Sequence, residues 1–275
     1  MLPLQADDIA DLFCWVDERV PKATVHRGRP PALADAEIVT ILIWHTILLK
    51  QKTLKDIYDH VLRYHHGDFP RVPTYQAFVR GIHHALPVCF DLLCQMLCTE
   101  EATRIMDSTM LPVCKLHRVD DYSVAPDMAE FGKNWQGWHF GFKLHASIAL
   151  DGRLCGLALT GVNVYDAQME HLLLNKHTRV AVGDTLYGAS VMRERMWKRY
   201  GTIIIAPPHP KQRKKIAAPW QINLLHLRSK IESVFDYLKE HLHLVSSFPR
   251  SMTGYLVHYL RILLSYQIMA LCKGF

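Results

Sequence analysis

The sequence predicts an α/β fold, a mixed sheet flanked by helices, preceded by an all-helical region of helix-turn-helix-like character. Three observations carry that reading. The first hundred residues follow a helical period almost throughout, and from Ala102 the apolar runs shorten to strand length. A strong hairpin signal, Asp151-Gly152, then separates two of those runs. The change of period divides the chain into a helical region, residues 1–98, and an α/β domain, residues 99–275. A length of 275 residues holds one large or two modest domains, each with a core of its own.

The elements follow in order. Ala6 to Val20 reads as a helix ending before Pro21, and Arg27-Gly28-Arg29-Pro30-Pro31 breaks the pattern. Asp35 is expected to cap a helix running to about Lys50. Thr53-Leu-Lys-Asp56 has the form of a capping box opening a helix to about Tyr64. Thr74 starts the next helix, and another runs past Pro87 through Met96. Several short helices with brief connections suit a helix-turn-helix-like bundle. Strands are expected at Arg104 to Met106, Phe140 to Leu150, Leu154 to Gly161, Arg179 to Val182 and Thr202 to Ala206. Helices are expected at Ala167 to Leu174, Ala189 to Tyr200, Ile222 to Glu240 and Leu256 to Leu271. An antiparallel hairpin followed by helix, strand, helix and strand is the order of an RNase H-like domain, and the short apolar runs at Val180 and Ile203 suit buried parallel strands.

Composition narrows the partners. Apolar residues make up 49% and charged residues 21%, ordinary for a soluble globular protein. A net charge of +6 permits a polyanionic partner. The seventeen His would raise that charge just below neutral pH. Seven Cys without a CxxC pair argue against a disulfide framework or zinc ribbon and suit reduced cytosolic thiols. Cys89, Cys94 and Cys98 are read as small buried hydrophobes in one helix. The N-terminus has no basic and apolar signal pattern. Ile38 to Leu49 is too short to span a bilayer, and Tyr255 to Leu271 carries His258, Arg261 and Gln267, so buried helices are expected and no membrane partner. No GxSxG elbow, Walker A loop, GxGxxG turn or HExxH pair is present, which leaves the corresponding hydrolase, NTPase, dinucleotide and zinc-protease classes unsupported.

Three acids remain as the candidate chemistry. Asp107 follows Thr103-Arg104-Ile105-Met106, and Asp184 follows Val180-Ala181-Val182-Gly183. Functional groups in open α/β sheets collect beyond strand carboxyl ends, where both are expected. Glu232 lies in a helical run with Arg228 four residues before it and Lys239 seven after. On a 3.6-residue helix these offsets put all three on one face, at the edge of an apolar stripe of Leu224, Leu227, Ile231, Phe235 and Leu238. A carboxylate holding a divalent metal beside phosphates would gain from two flanking cations.

These residues resemble the DDE transposases of bacterial insertion sequences, whose third acid sits in an Arg-x3-Glu-x6-Lys motif. The resemblance continues at Met106-Asp107-Ser108-Thr109, through Phe131 to His145, and at Gly183-Asp184-Thr185-Leu186-Tyr187-Gly188, covering roughly residues 100 to 245. Leu225 stands where the family's motif often has Tyr. The resemblance implies a cytoplasmic, nucleoid-associated bacterial enzyme that binds the terminal inverted repeats of a mobile element in double-stranded DNA. It implies two Mg²⁺ (or Mn²⁺) ions on Asp107, Asp184 and Glu232, with Asp107 shared, and strand cleavage followed by transfer of a 3′-hydroxyl to target DNA. Joining two ends implies at least a dimer on DNA.

Further residues are candidate DNA contacts. Lys133, Trp135 and Lys143 lie in a run of basic residues interleaved with aromatics that suits backbone neutralisation and stacking on an unpaired base, whereas Trp138, Phe140 and Phe142 are read as core. Lys211, Arg213, Lys214 and Lys215 form a basic run leading toward the Glu232 helix. Arg27 and Arg29 flank a glycine as in a minor-groove hook, or form a plain interdomain turn. Asp166 is read as a structural helix cap. Two other readings stay open: an RNase H-like nuclease that does not join strands, and an inactive DNA-binding derivative.

Overall fold

The computed structural model describes residues 8–21, 30–125, 128–134, 137–208 and 218–273. They fall into two compact units. One runs up to Met96 and includes Leu238–Leu244 and Phe248–Lys273; the other is Leu97–Tyr237 with Val245–Ser247.

The first unit is helical: α1 (Ile9–Asp17), α2 (Asp35–Ile47), α3 (Leu54–Tyr64), α4 (Tyr75–His84), α5 (Leu86–Met96) and the last helix of the chain, α10 (Met252–Lys273). The expected capping box opens α3: Thr53 Oγ accepts from the Asp56 N–H at 3.1 Å, and the Asp56 carboxylate accepts from the Thr53 N–H at 3.0 Å. Such a cap is worth about 1 kcal/mol. At α2 the expectation shifts by one residue. Ala34 is the N-cap, and Glu37 instead of Asp35 closes the turn by accepting from the Ala34 N–H at 2.6 Å.

Helix α2 buries residues on all sides, and its buried Thr40 and Thr46 hydroxyls donate back to the carbonyls of Ala36 and Leu42. Helix α10 is equally apolar around its circumference and packs on α2, α4 and α5. This corrects the contiguous division at residue 98. A helix without a polar face needs a bundle core to cover it, and the apolar helices of the first unit supply one. By length and composition α10 could cross a membrane, but most of it is buried within the protein. Its Arg261 is fully buried and donates to Thr46 Oγ1 (2.8 Å), to the carbonyls of Gln51 (3.2 Å) and Lys52 (3.0 Å), and to His258 Nδ1 (3.3 Å). Four acceptors let a buried guanidinium persist, although burial pushes it down to about 10. The three-cysteine expectation holds only for Cys89. Cys94 is exposed on α5, and Cys98 is half-buried beyond its end.

The second unit contains β1 (Thr103–Pro112), β2 (Glu130–Asn134), β3 (Gly137–Ile148), β4 (Leu154–Gly161), α6 (Glu170–Leu173), β5 (Val180–Val182), α7 (Ser190–Tyr200), β6 (Ile203–Ile205), α8 (Pro219–His226) and α9 (Ser229–Asp236). Strands β4, β3 and β1 are antiparallel neighbours, and β5 and β6 continue the sheet in parallel with β1. This is the mixed RNase H-like sheet. The turn from β3 to β4 uses Gly152 at φ 91°, a conformation that Asp-Gly turns supply at low strain.

Three elements differ from expectation. Strand β1 runs five residues past Asp107, because β3 offers it a continuous partner from Ile148 to Gly141. Strand β2 is additional. It pairs with Gly137 to Gly141 of β3, next to the stretch that β4 pairs. The single helix expected from Ile222 to Glu240 is divided into α8, α9 and a π-helical turn, Tyr237–His241. Successive three-residue hydrogen bonds, Leu227 to Leu224, Arg228 to Leu225, Lys230 to Leu227 and Ile231 to Arg228, tighten the chain between α8 and α9. Of these two helices only α9 has buried residues: Ile231, Val234 and Phe235.

Candidate active site

The parallel register places two of the acids. Arg104 pairs with Ala181 and Ile105 with Val182. Carried forward two residues, that register brings Asp107 abreast of Asp184, where β5 ends. Asp107 is therefore mid-strand in β1, not at its end as expected, while Asp184 does lie past the end of β5. Alternation along β1 sends Ile105 and Asp107 to one face and Arg104 and Met106 to the other. Met106 joins the core formed with Ala167, Leu173, Tyr187, Met192 and Met196. Helix α9, carrying Glu232, packs on β1.

Each acid has a distinct environment. Burial, first of all, lifts the Asp107 carboxyl to about 6, and the negative charges of Asp184 and Asp166 add to the rise. The Ser108 N–H, donating at 2.8 Å, and the Arg228 guanidinium oppose it. Asp184 caps the 3₁₀ turn Thr185–Gly188, accepting from the N–H groups of Leu186 (2.9 Å) and Tyr187 (3.3 Å). Burial also raises its carboxyl, with the Asp166 charge adding, against those two hydrogen bonds and Arg228. Glu232 is exposed and accepts from Arg228 at 2.6 Å. Burial works against the Arg228 charge, but Glu232, Asp107 and Asp184 together raise its pKa. One guanidinium is thus bonded to the third acid and within electrostatic reach of the first two. The three acids do not form a closed ligand set: their oxygens do not all come within 4.8 Å of one another.

Sequence reasoning missed the support beneath these acids. Asp166 is buried, accepts from Lys143 Nζ at 3.1 Å and lies 3.5 Å from His145 Nδ1. It is an ion-pair centre that raises the Asp107 and Asp184 pKa values and not the expected helix cap, since Tyr165 and Met169 stand at the N-caps of the turns that follow. A signal existed. Lys143, His145 and Ser147 alternate on one face of a strand flanked by apolar residues, and a buried lysine demands an acid partner. Tyr187 is fully buried, and its phenol lies among the charges of Asp166, Asp107, Asp184 and Glu170. Burial, reinforced by those carboxylates, raises its pKa and keeps it protonated. Its ring restricts the residue before Asp184: a Cβ on Gly183 would meet it at 2.7 Å.

The other expected contacts are dispersed. Lys133 is exposed on β2, with Nζ 5.8 Å from the Trp138 ring centroid. Trp138 is 56% exposed, correcting its assignment to the core, whereas Phe140 and Phe142 are buried. An outward position on an edge pairing explains the tryptophan. Lys239 lies past the end of α9 on the π-helical turn and belongs to the first unit, so the single α-helical face is realised by Arg228 and Glu232. Trp135, Arg27, Arg29, Lys211, Arg213, Lys214 and Lys215 lie outside the described residues.

The mixed sheet and its strand order are those of an RNase H-like domain. A family model described as a transposase DDE domain matches residues 98–252, more than half of the chain, and the protein belongs to that family. It is a DDE transposase, from a class that cleaves and transesterifies DNA with divalent metal ions. A crystal structure of a pre-cleavage Mos1 transpososome is a distant structural match, 13% identical with a TM-score of 0.23, covering 92% of this chain and 83% of that one. No curated protein matches the chain.

Proposed function

We propose that the chain is the transposase of a bacterial mobile element, acting in the cytoplasm on the terminal inverted repeats of that element. In this reading Asp107, Asp184 and Glu232 hold two Mg²⁺ (or Mn²⁺) ions. The observation that carries it is the parallel register of β1 and β5, whose continuation past Ile105 and Val182 brings Asp107 abreast of Asp184, with α9 bringing the Arg228–Glu232 pair onto β1. The donor set fits the ions: it is all oxygen, as a hard cation requires, and burial raises both the Asp107 and Asp184 carboxyls, a cost that a bound cation would offset. When bound, such ions activate an oxygen nucleophile and stabilise the leaving oxygen of a phosphodiester.

The protein's own part is placement and charge. Asp184 is fixed by its two backbone hydrogen bonds, and Asp107 by its strand register. Arg228 neutralises the carboxylates and is positioned to exchange Glu232 for a DNA phosphate. Lys133 and Trp138 offer a cation and an exposed ring to the strand, with Trp135 as the adjacent aromatic. Lys211, Arg213, Lys214 and Lys215, which lie between β6 and α8 in the sequence, would neutralise phosphates. Lys239 would add a cation. Residues 1–98, with Arg27 and Arg29, would supply repeat recognition. The site then acts twice, first on water to free a 3′-hydroxyl and then on that hydroxyl against target DNA, with two protomers pairing the ends.

The test uses inverted repeats located beside the reading frame. Purified protein, Mg²⁺, repeat-bearing DNA and a target plasmid should yield sequenced junctions between repeat end and target. Correct nicking without junctions, in reactions where paired-end complexes form, would instead make the protein a nuclease.

A further inference from the structure

Away from the acids, the first unit gathers three imidazoles. His45 is fully buried in α2, His60 lies on α3, and His65 caps the C-terminus of α3. One ring nitrogen from each lies within 4.8 Å of the others. His45 Nε2 and His60 Nδ1 are 3.3 Å apart. That is the edge of a tetrahedron whose centre lies roughly 2.0–2.1 Å from each nitrogen, the usual zinc–imidazole length.

For His45 and His65 the other ring nitrogen is already committed in the sense a metal requires. His45 Nδ1 donates to the Ile41 carbonyl at 2.8 Å, which leaves the Nε2 lone pair toward the cluster. His65 Nδ1 donates to the Asp68 carboxylate at 2.9 Å, which leaves its Nε2 unprotonated and able to ligate. Carbonyl and carboxylate partners on the far nitrogen are the usual devices that orient ligating histidines. Ordinary packing accounts for less. A single bond between His45 and His60 would leave unexplained why His65 sets its ring 5.7 Å from one and 5.6 Å from the other while a carboxylate holds its far side.

We propose that His45, His60 and His65 form a site for a borderline-soft divalent ion of the Zn²⁺ type, tying α2 to α3, with water in the fourth position. Neutral imidazoles without carboxylate ligands favour Zn²⁺ over Mg²⁺, so this centre is chemically separate from the three acids. His60 and His65 are partly open to solvent, which gives the ion a route in. Its cargo is structural: one ion joins residues from two helices that otherwise meet across a short loop.

The test uses the full chain carrying Asp107→Asn, Asp184→Asn and Glu232→Gln, so that the acids cannot contribute. After chelator treatment, Zn²⁺ should bind at one ion per chain and raise the melting temperature. Co²⁺ should give the visible bands of tetrahedral nitrogen ligation without a thiolate charge-transfer band. His65→Gln and His60→Gln should each weaken Zn²⁺ by more than about 100-fold, and Asp68→Asn, which removes only the supporting carboxylate, by roughly 10–100-fold. His65 and Asp68 are partly exposed, so these variants keep the test open if His60→Gln does not fold. Absence of tight binding, unchanged affinity in folded His65→Gln, or a thiolate band would each overturn the proposal.

Discussion

Arg228 donates to Glu232 at 2.6 Å, and the same guanidinium faces the charges of Asp107 and Asp184. The arginine thus occupies, electrostatically, the place a divalent cation would take. The pair is partly exposed on both sides, so it contributes roughly 0.2–1 kcal/mol to stability. Arg228→Gln is expected to change the melting temperature little and to lower the maximal cleavage rate by about 10-fold or more, the scale of losing one supporting group around a metal. Because the competing cation is gone, half-saturation by Mg²⁺ should move to lower concentration. A magnesium titration of cleavage checks this, and a shift to higher concentration would contradict the competition.

Lys143 and Asp166 form a buried ion pair under the acids. Lys143→Met should cost roughly 3–5 kcal/mol by leaving the carboxylate uncompensated, whereas Lys143→Met with Asp166→Leu should recover much of that loss. Urea denaturation of the two variants measures the difference. Equal destabilisation by both would mean that the charges are not coupled.

His258 gives the first unit an acid-sensitive group. Burial, then the Arg261 charge, lowers its pKa from 6.5 to about 3, with the His243 charge adding and the His243 and Leu244 carbonyls partly opposing. Folded protein therefore binds fewer protons than unfolded protein between these values, and stability falls as pH drops from 6.5 toward 3. One such group contributes a slope of about 1.4 kcal/mol per pH unit. In His258→Gln that part of the slope should vanish, as read from urea midpoints across the acid range. An unchanged slope would assign acid sensitivity elsewhere.

The basic run between β6 and α8 is expected to act through phosphates. Replacing Lys211, Arg213, Lys214 and Lys215 by Ala should weaken binding similarly for different DNA sequences. Each lost contact should reduce the magnitude of the log K against log salt slope by roughly 0.9. An unchanged slope would return the run to ordinary surface.

The strand settings of Asp107 and Asp184 were legible because an apolar run precedes each, and strand length and order are local signals. The register that aligns Asp107 with Asp184 was not legible, since it depends on how β1 and β5 pair. The second half of β1 was missed for a similar reason: Ser108 and Thr109 have little strand signal alone and are held by β3. Between α8 and α9, an apolar stripe continuous in sequence concealed a change of winding set by three-residue hydrogen bonds. The histidine cluster escaped notice because His45 comes from one helix and His60 and His65 from another, a spacing no metal motif predicts. The number of histidines was visible, but their convergence was not.

The central claim is that Asp107, Asp184 and Glu232 act as one metal-dependent centre. Its most direct test is Mg²⁺-dependent cleavage of repeat-end DNA by Asp107→Asn, Asp184→Asn and Glu232→Gln, with folding and end binding verified for each. The near-isosteric changes remove ligand charge and leave packing intact. Every variant should bind the ends as the parent does and cleave at least about 100-fold more slowly, since even a supporting group around a metal is worth roughly 10–100-fold. Cleavage at the parental rate by any one folded variant would remove that residue from the centre and contradict the account.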